Sequence, residues 1–236
     1  MGVMRARCSI FIRNCFSTNP RRVAAVMFAL TLVSVTFSCI HKELGNLRID
    51  DAVKRGDLAK IRCLLQDDHT LVSSKDNEGQ TPLFDAPNKA VAELLLDNGA
   101  DVNAKDKRLS TPLHIAGGGF INRIDVVELL LARGAEVNAR DDLGMTPLHL
   151  MALVPSQTPK MVLLLDHGAD VDAIANDGET PLEMAAGSGN KDEVELLLAR
   201  GAKAIGNYSR RWTPAHWAEA NHHPDLAEIL HQHGGW

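Results

Sequence analysis

Aromatic residues and cysteines are scarce in this 236-residue chain. Aromatic residues make up only 4% of the composition, so a core drawn from the 45% of hydrophobic residues must be mostly aliphatic. Of the four cysteines, Cys8 and Cys15 lie in an N-terminal segment that does not resemble a folded domain. No framework of paired cysteines therefore remains for a disulfide-stabilised fold. Cys63, in the apolar run 61–65, is predicted to be a small core residue and not a nucleophile.

Acidic residues are absent from the first 38 residues, which carry five arginines. From Cys39 onward the chain has 20 basic and 30 acidic residues, a net charge of −10 that the whole-chain value of −5 conceals. A body with this charge repels the phosphates of a nucleic-acid backbone. The composition therefore argues against sequence-independent nucleic-acid binding.

Recognised catalytic motifs are also absent. The sequence contains no G-x-S-x-G, P-loop, H-E-x-x-H or G-x-G-x-x-G pattern. The glycine run 117–119 lacks the strand, the Lys and the Ser or Thr that a phosphate-binding loop requires. We therefore predict that the chain is not an enzyme and needs no cofactor.

Long apolar runs are limited to one segment, Val23–Phe37, which follows the arginines and ends at Ser38 and Cys39. A charged start, an apolar stretch of about 7–15 residues and a small residue at its exit are typical of a secretory signal. The segment is short for a membrane span of about 20 residues, although an extension to Ile40 could serve as an uncleaved anchor. The small residue before a cysteine resembles a bacterial lipoprotein signal, which makes Cys39 the candidate lipidation site.

Export with membrane attachment is the favoured interpretation of this segment. We predict a signal peptide or anchor over residues 1–38 and a linker over 39–46. The body is then expected on the periplasmic or extracellular face of a membrane and not in the cytoplasm. Thr36 and Phe37 depart from the lipoprotein pattern, so an uncleaved anchor, an organelle transit peptide and a buried helix stay open as alternatives.

Two short signatures recur in a fixed order along the rest of the chain. A Thr-Pro pair followed by an apolar or small residue occurs at Thr81, Thr111, Thr146, Thr180 and Thr213. A Leu triplet followed by a Gly-Ala pair occurs within residues 94–104, 129–139, 163–173 and 196–206. Self-similarity at a period of about 33 residues indicates a repeat array.

In this order the two signatures resemble those of the ankyrin-repeat family, over about residues 47–234. The resemblance implies an all-α fold, an ankyrin-repeat solenoid of about six helix–turn–helix units joined by β-hairpin loops. The expected units of this 47–236 domain are 47–80, 81–110, 111–145, 146–179, 180–212 and 213–236. The first and last units diverge from the pattern, as end caps of a solenoid do.

Elementary helix physics accounts for the pattern within one unit. Thr can cap the exposed N–H groups of a helix, and Pro is tolerated at the first helical position. A second helix is predicted over Asp192–Arg200, ended by Gly201 in the left-handed conformation. Leu197, in the Leu triplet, is predicted to be buried between neighbouring units.

Histidines occur in two groups. By the resemblance, the histidines after Thr-Pro bond to the backbone of a neighbouring unit and are structural: His114, His149 and His216. A second group lies near the C-terminus: His222, His223, His231 and His233. It has no carboxylate or cysteine at zinc-site spacing, so no metal site is predicted.

The resemblance further implies that a partner protein binds at the hairpin tips and the concave groove. The candidate residues are Lys107, Arg108, Ser110, Arg140, Asp142, Leu143, Met145, Ile174, Asn176, Asp177, Glu179, Asn207, Tyr208, Arg210, Arg211 and Trp212. Leu143, Met145 and Ile174 are apolar where exposure is expected, and Trp212 belongs to a residue type enriched in binding hot spots. We predict a monomeric, non-catalytic protein–protein interaction module with an unknown protein partner. The alternative is a secreted regulator or effector that inhibits a target enzyme by covering its site.

Overall fold

Helices make up the regular structure of the described residues. The computed structural model describes residues 49–118, 123–205 and 212–235. Its eleven α-helices within these ranges are α1 (49–55), α2 (Leu58–Asp67), α3 (Lys89–Asp97), α4 (Pro112–Gly118), α5 (Ile124–Ala132), α6 (Pro147–Leu153), α7 (Thr158–Asp166), α8 (Pro181–Ser188), α9 (Lys191–Ala199), α10 (Pro214–Ala220) and α11 (Pro224–Gln232). Two 3₁₀ turns, His69–Ser73 and Pro82–Asp85, lie between α2 and α3. The described ranges contain no strand, and the predicted all-α class is confirmed.

The described helices belong to one compact unit that spans Arg48–Trp236. Within each repeat the two helices pack together, as α4 does with α5 and α8 with α9. First helices stack on first helices, in the order α4, α6, α8 and α10, and second helices stack in the order α2, α3, α5, α7 and α9. This double stack is the expected solenoid. The predicted signal segment, the linker and Cys39 lie outside the described residues.

The Thr-Pro pairs begin first helices, as predicted. At the start of α8, the Thr180 side chain accepts a hydrogen bond from the Glu183 backbone N–H (3.3 Å), and the Glu183 carboxylate accepts one from the Thr180 N–H (2.8 Å). Pro181 occupies the first helical position, where it gives up no helical hydrogen bond. The pair thus satisfies N–H groups that a helix start leaves free.

Second helices end at glycines in the left-handed region. After α9, Gly201 has φ +88°, and the next amide, of Ala202, donates back to the Leu197 carbonyl at 2.9 Å. This closes the last turn and confirms the predicted cap. The helix itself begins and ends one residue before the predicted Asp192–Arg200.

The middle leucine of each triplet forms the centre of the core. Leu95, Leu130, Leu164 and Leu197 are at most 1% exposed, and Leu230 takes the same place in the last unit. Cys63 is exposed, so its predicted place in the core was wrong. The buried residues of α2 are Ile61, Leu64 and Leu65, whose spacing defines one helical face, and Cys63 lies off that face.

The second unit departs most from the regular pattern. Its first helix is reduced to the 3₁₀ turn Pro82–Asp85, because only three residues separate that turn from α3. Pro82, Leu83 and Phe84 are nevertheless buried, so the short turn still contributes side chains to the core.

Across the described residues, none of the helices combines the length and apolar character needed to cross a bilayer.

Candidate partner-binding surface

The hairpin loops of successive units are joined by main-chain hydrogen bonds. Lys107 N–H donates to the Glu78 carbonyl (3.0 Å), and Asp142 N–H donates to the Arg108 carbonyl (2.8 Å). Asn176 N–H donates to the Leu143 carbonyl at 2.9 Å. Four loops therefore lie side by side in register, and side chains from several units share one surface.

An aspartate at the base shapes three of these loops. One carboxylate oxygen of Asp76, Asp106 or Asp141 accepts hydrogen bonds from the amides two and four residues further along, at 2.8–3.0 Å. Such local side-chain-to-backbone bonds favour a tight turn. Ala175 stands at this position in the next loop, where Asp177 accepts from Glu179 N–H instead (3.1 Å).

His114 and His149 fix the loops to the helices. In each case Nδ1 accepts from the backbone N–H of the preceding Thr, at 3.1 Å and 3.0 Å. The proton must then lie on Nε2, which donates to the next unit's loop, at the carbonyls of Met145 and Glu179 (3.2 Å each). The predicted structural role is confirmed for these two. His216, in the last unit, is exposed and bonds to Thr213.

Burial lowers the pKa of both His114 and His149, although their carbonyl partners partly oppose that shift. The unfolded chain, with histidine pKa values of about 6.5, therefore takes up protons before the folded chain as the pH falls. We expect the free energy of unfolding to decline below pH ~6.5, by up to about 1.4 kcal/mol per pH unit for each histidine. Urea unfolding at a series of pH values measures this decline.

The control for this pH dependence removes the two buried histidines. His114→Gln with His149→Gln should flatten the slope between pH ~6.5 and ~5.5 relative to the unchanged chain, since carboxylates titrate mainly at lower pH. An equal slope with and without the two substitutions would contradict the prediction.

The predicted partner-binding residues fall into four groups. Exposed on or beside the loops are Lys107, Arg108, Arg140, Asp142, Leu143, Ile174, Asn176, Asp177 and Trp212. Met145 and Glu179 are partly buried, and Ser110 is buried. Outside the described residues lie Asn207, Tyr208, Arg210 and Arg211. The structure thus brings most of the described candidates to one side of the array.

Ser110 and Met145 were expected to face solvent, but Ser110 is buried and Met145 is partly buried. Ser110 is 7% exposed, and its backbone closes the loop by accepting from Asp106 N–H at 3.1 Å. Met145 packs against the core while its carbonyl receives the His114 bond. Both stand at the last position of the loop, directly before a buried Thr, where the chain turns inward. We therefore leave Ser110 out of the candidate surface.

Leu109 is a surface residue that the sequence reasoning missed. It is 47% exposed and has φ +61°, at the loop position where Gly79, Gly144 and Gly178 also have positive φ. A non-glycine residue in this conformation is strained, by about 1–2 kcal/mol. Alignment of the four loops could have revealed it, because Leu replaces Gly there. Leu109 joins Leu143 (56% exposed) and Ile174 (44%) as exposed aliphatic side chains.

We call these three aliphatic residues and the exposed bases beside them the tip patch. It consists of Lys107, Arg108, Leu109, Arg140, Leu143 and Ile174. Arg140 is held in place by a hydrogen bond from its guanidinium to the Ile174 carbonyl at 2.6 Å. The patch therefore spans three consecutive loops and has a defined backbone.

Trp212 is 44% exposed and contacts a second tryptophan. Its ring centroid lies 5.1 Å from that of Trp217, with a tilt of 53° between the planes. Such tilted aromatic pairs are favourable. One face of Trp212 is therefore covered within the chain, and Trp217 is half-buried beneath it.

Charged side chains buried at the helical side have structural partners. Lys160 Nζ donates to the Ala116 carbonyl (3.2 Å), and Arg123 donates to the Ala86 carbonyl (3.2 Å). Burial, and secondly the nearby Arg123, lowers the pKa of Lys160. The Glu193 carboxylate accepts from the backbone N–H groups of Gln157 (2.7 Å) and Thr158 (3.2 Å), at the start of α7. These three charged groups therefore bond to backbone atoms of neighbouring segments.

The C-terminal histidines are not gathered into a metal-binding cluster. In the described part of the chain, no group of three or more His, Cys, Asp or Glu could hold a metal ion. His231 instead contacts the Gly235 carbonyl (2.8 Å) and the Glu219 carboxylate (3.3 Å).

Comparison with known families agrees with the stacked helix pairs and their loops. A profile of three ankyrin repeats matches residues 85–174, 113–207 and 148–235, which together cover more than half of the chain. The chain belongs to the ankyrin-repeat family. Ankyrin repeats indicate a protein–protein interaction module, and the family is generally non-catalytic.

A curated relative covers only a short stretch of this ankyrin-repeat protein. The serine/threonine-protein kinase VIK of Arabidopsis thaliana is 43% identical over 67 residues, 27% of this chain and 15% of the kinase. The chain therefore spans a small fraction of that relative's length, and the match carries no activity over to it.

Proposed function

We propose that this ankyrin-repeat protein binds a partner protein through the tips of its hairpin loops, with the tip patch as the main contact. The observation that carries the proposal is the row of exposed aliphatic side chains at Leu109, Leu143 and Ile174. A cluster of exposed apolar side chains on the surface of a folded protein is typical of an interaction site. Hydrogen bonds between the loops keep them in place, which reduces the entropy lost on binding.

Site-specific photo-crosslinking tests this proposal. A photoreactive amino acid at Leu143 should yield a defined cross-linked partner in the native cell, identified by mass spectrometry. The matched control is Leu153, the same residue type at the end of α6, away from the loops, where it is 42% exposed. The same yield at both positions, or none at Leu143, would remove the tips as the binding site.

We further propose that the protein is exported and tethered to a membrane by its N-terminal segment. The support lies in the sequence: five arginines, the apolar run Val23–Phe37 and the Ser38-Cys39 exit. A lipid on Cys39 would add about 0.8 kcal/mol of membrane affinity per buried methylene. The competing proposal is a secreted regulator that covers a target enzyme's site, and it predicts that the mature chain stays out of the detergent phase.

Mass spectrometry of the native N-terminus tests the tether. An acylated Cys39 is expected, and Cys39→Ser should then release the body or leave an uncleaved precursor. An intact Met1 or Gly2 in the membrane fraction would instead indicate an uncleaved anchor. A full-length native chain that is soluble in the cytoplasm would contradict both forms of attachment.

A further inference from the structure

We propose that the partner segment bound by the tip patch is acidic and carries aliphatic side chains, with Arg108 and Leu109 as its main specificity determinants. This inference rests on the proposed function and adds the chemistry of the partner. It follows from three observations: the sign of the exposed charge, the absence of ion pairs between these bases and acids of the described residues, and the conformation of Leu109.

The exposed charges around the patch are mainly positive. In loops 105–110, 140–145 and 174–179, which carry the patch, the exposed charged side chains are four bases, at Lys105, Lys107, Arg108 and Arg140, and two acids, at Asp142 and Asp177. The carboxylates of Asp106 and Asp141 are turned toward their own loop amides. A basic surface stands out here because the chain from Cys39 onward carries a net charge of −10. Charge complementarity therefore favours an acidic partner segment.

Basic residues at other places in the array have acidic partners of their own. Arg133 pairs with Asp97 of the preceding unit (2.9 Å), and Arg200 pairs with Asp166 in the same way (3.0 Å). Among the described residues, neither Lys105 nor the three bases of the patch is in an ion pair. Their charge is therefore available to carboxylates of another protein, and Arg108 can bind one through two parallel hydrogen bonds.

Leu109 supplies the aliphatic part of the recognition. Neighbouring loops place glycine at the same position, and glycine adopts this positive φ without strain. Leu109 instead combines a strained backbone with a side chain that is nearly half exposed. Strain of this kind tends to persist at sites of function, where the side chain is needed for contact. Leu109 next to Arg108 matches a segment in which acidic and aliphatic residues alternate.

Selection of random displayed peptides on the purified full chain tests the proposal directly. The enriched peptides should contain more Asp and Glu, together with Leu, Ile or Val, than the starting library. The affinity of a synthetic consensus peptide, measured by fluorescence anisotropy, should fall several-fold as salt is raised to physiological strength. Enrichment of basic peptides, an absence of charge bias, or no enrichment at all would overturn the proposal.

Two variants assign the specificity to single residues. Arg108→Glu should lower the affinity for the consensus peptide by about tenfold or more. Leu109→Gly should lower this affinity by about fivefold or more. Its unfolding midpoint should stay equal or rise, because the backbone strain is relieved. A loss of binding in a variant that is at least as stable cannot be due to misfolding. The controls are Arg62→Glu, an exposed base on α2, and Leu153→Ser, and both should bind as the parent does.

A vesicle experiment tests whether the tip patch binds an anionic membrane surface instead of an acidic protein segment. The parent and Arg108→Glu chains share the same N-terminal segment, so they should co-sediment equally with vesicles of phosphatidylserine and phosphatidylcholine. A loss confined to Arg108→Glu would assign the patch to anionic lipid and overturn the peptide proposal. Crosslinks at Leu143 to a partner whose contacting segment is not acidic would overturn this inference and leave the proposed function intact.

Discussion

Leu197→Ala is expected to lower the free energy of unfolding by about 2–5 kcal/mol, through lost burial and the cavity that remains. Leu197 is fully buried in α9, which packs against α8 of its own unit and α7 of the preceding one. In a solenoid each unit is stabilised by its neighbours, so a weak unit in the array should also broaden or split the transition. Urea unfolding followed by circular dichroism measures both effects.

Leu153→Ala is the matched control for this substitution. It makes the same chemical change at a side chain that is 42% exposed, so the cost should stay within about 0.5 kcal/mol. A cost below about 1 kcal/mol for Leu197→Ala would mean that the residue is not a core residue of the array.

Glu193→Ala is expected to cost about 2–4 kcal/mol, because it leaves two backbone N–H groups at the start of α7 without an acceptor. Glu193 is 2% exposed, so water cannot readily replace the lost carboxylate. The Thr158 hydroxyl, 3.1 Å away, loses its acceptor as well. Chemical denaturation measures the loss, and amide hydrogen exchange should locate increased opening at the first turn of α7.

Two control variants separate this cap from a general effect of charge. Glu193→Gln retains a side-chain oxygen and should lose clearly less stability than Glu193→Ala. Glu195→Ala removes an exposed acid from the same helix that forms a 3.8 Å ion pair with Lys191, and it should change stability by less than about 0.5 kcal/mol. Equal losses in Glu193→Ala and Glu195→Ala would refute the capping role.

The repeat pattern by itself determined the fold class, the start of first helices at Thr-Pro and the end of a second helix at glycine. Thr180-Pro181 marks a helix start, Gly201 marks a helix end, and the middle leucine of each triplet is buried. These features depend on residues within one unit: a cap, a left-handed glycine and a helical period. Local physical preferences decide them, so they can be predicted without knowing what surrounds the unit.

Tertiary structure decided the features that depend on contacts between units or on the exact helical face. Cys63 points outward and Ser110 inward, although their sequence neighbours suggest the reverse. From the sequence of its helix, Glu193 is expected to be an ordinary surface acid. Contact with the preceding unit buries it, and there it caps the start of α7. Leu109 is distinguished by its positive φ and its exposure, which arise because the loop holds the backbone where other units place glycine. For Glu193 the decisive partner lies outside the local sequence window, and stacking of the repeats brings it into contact.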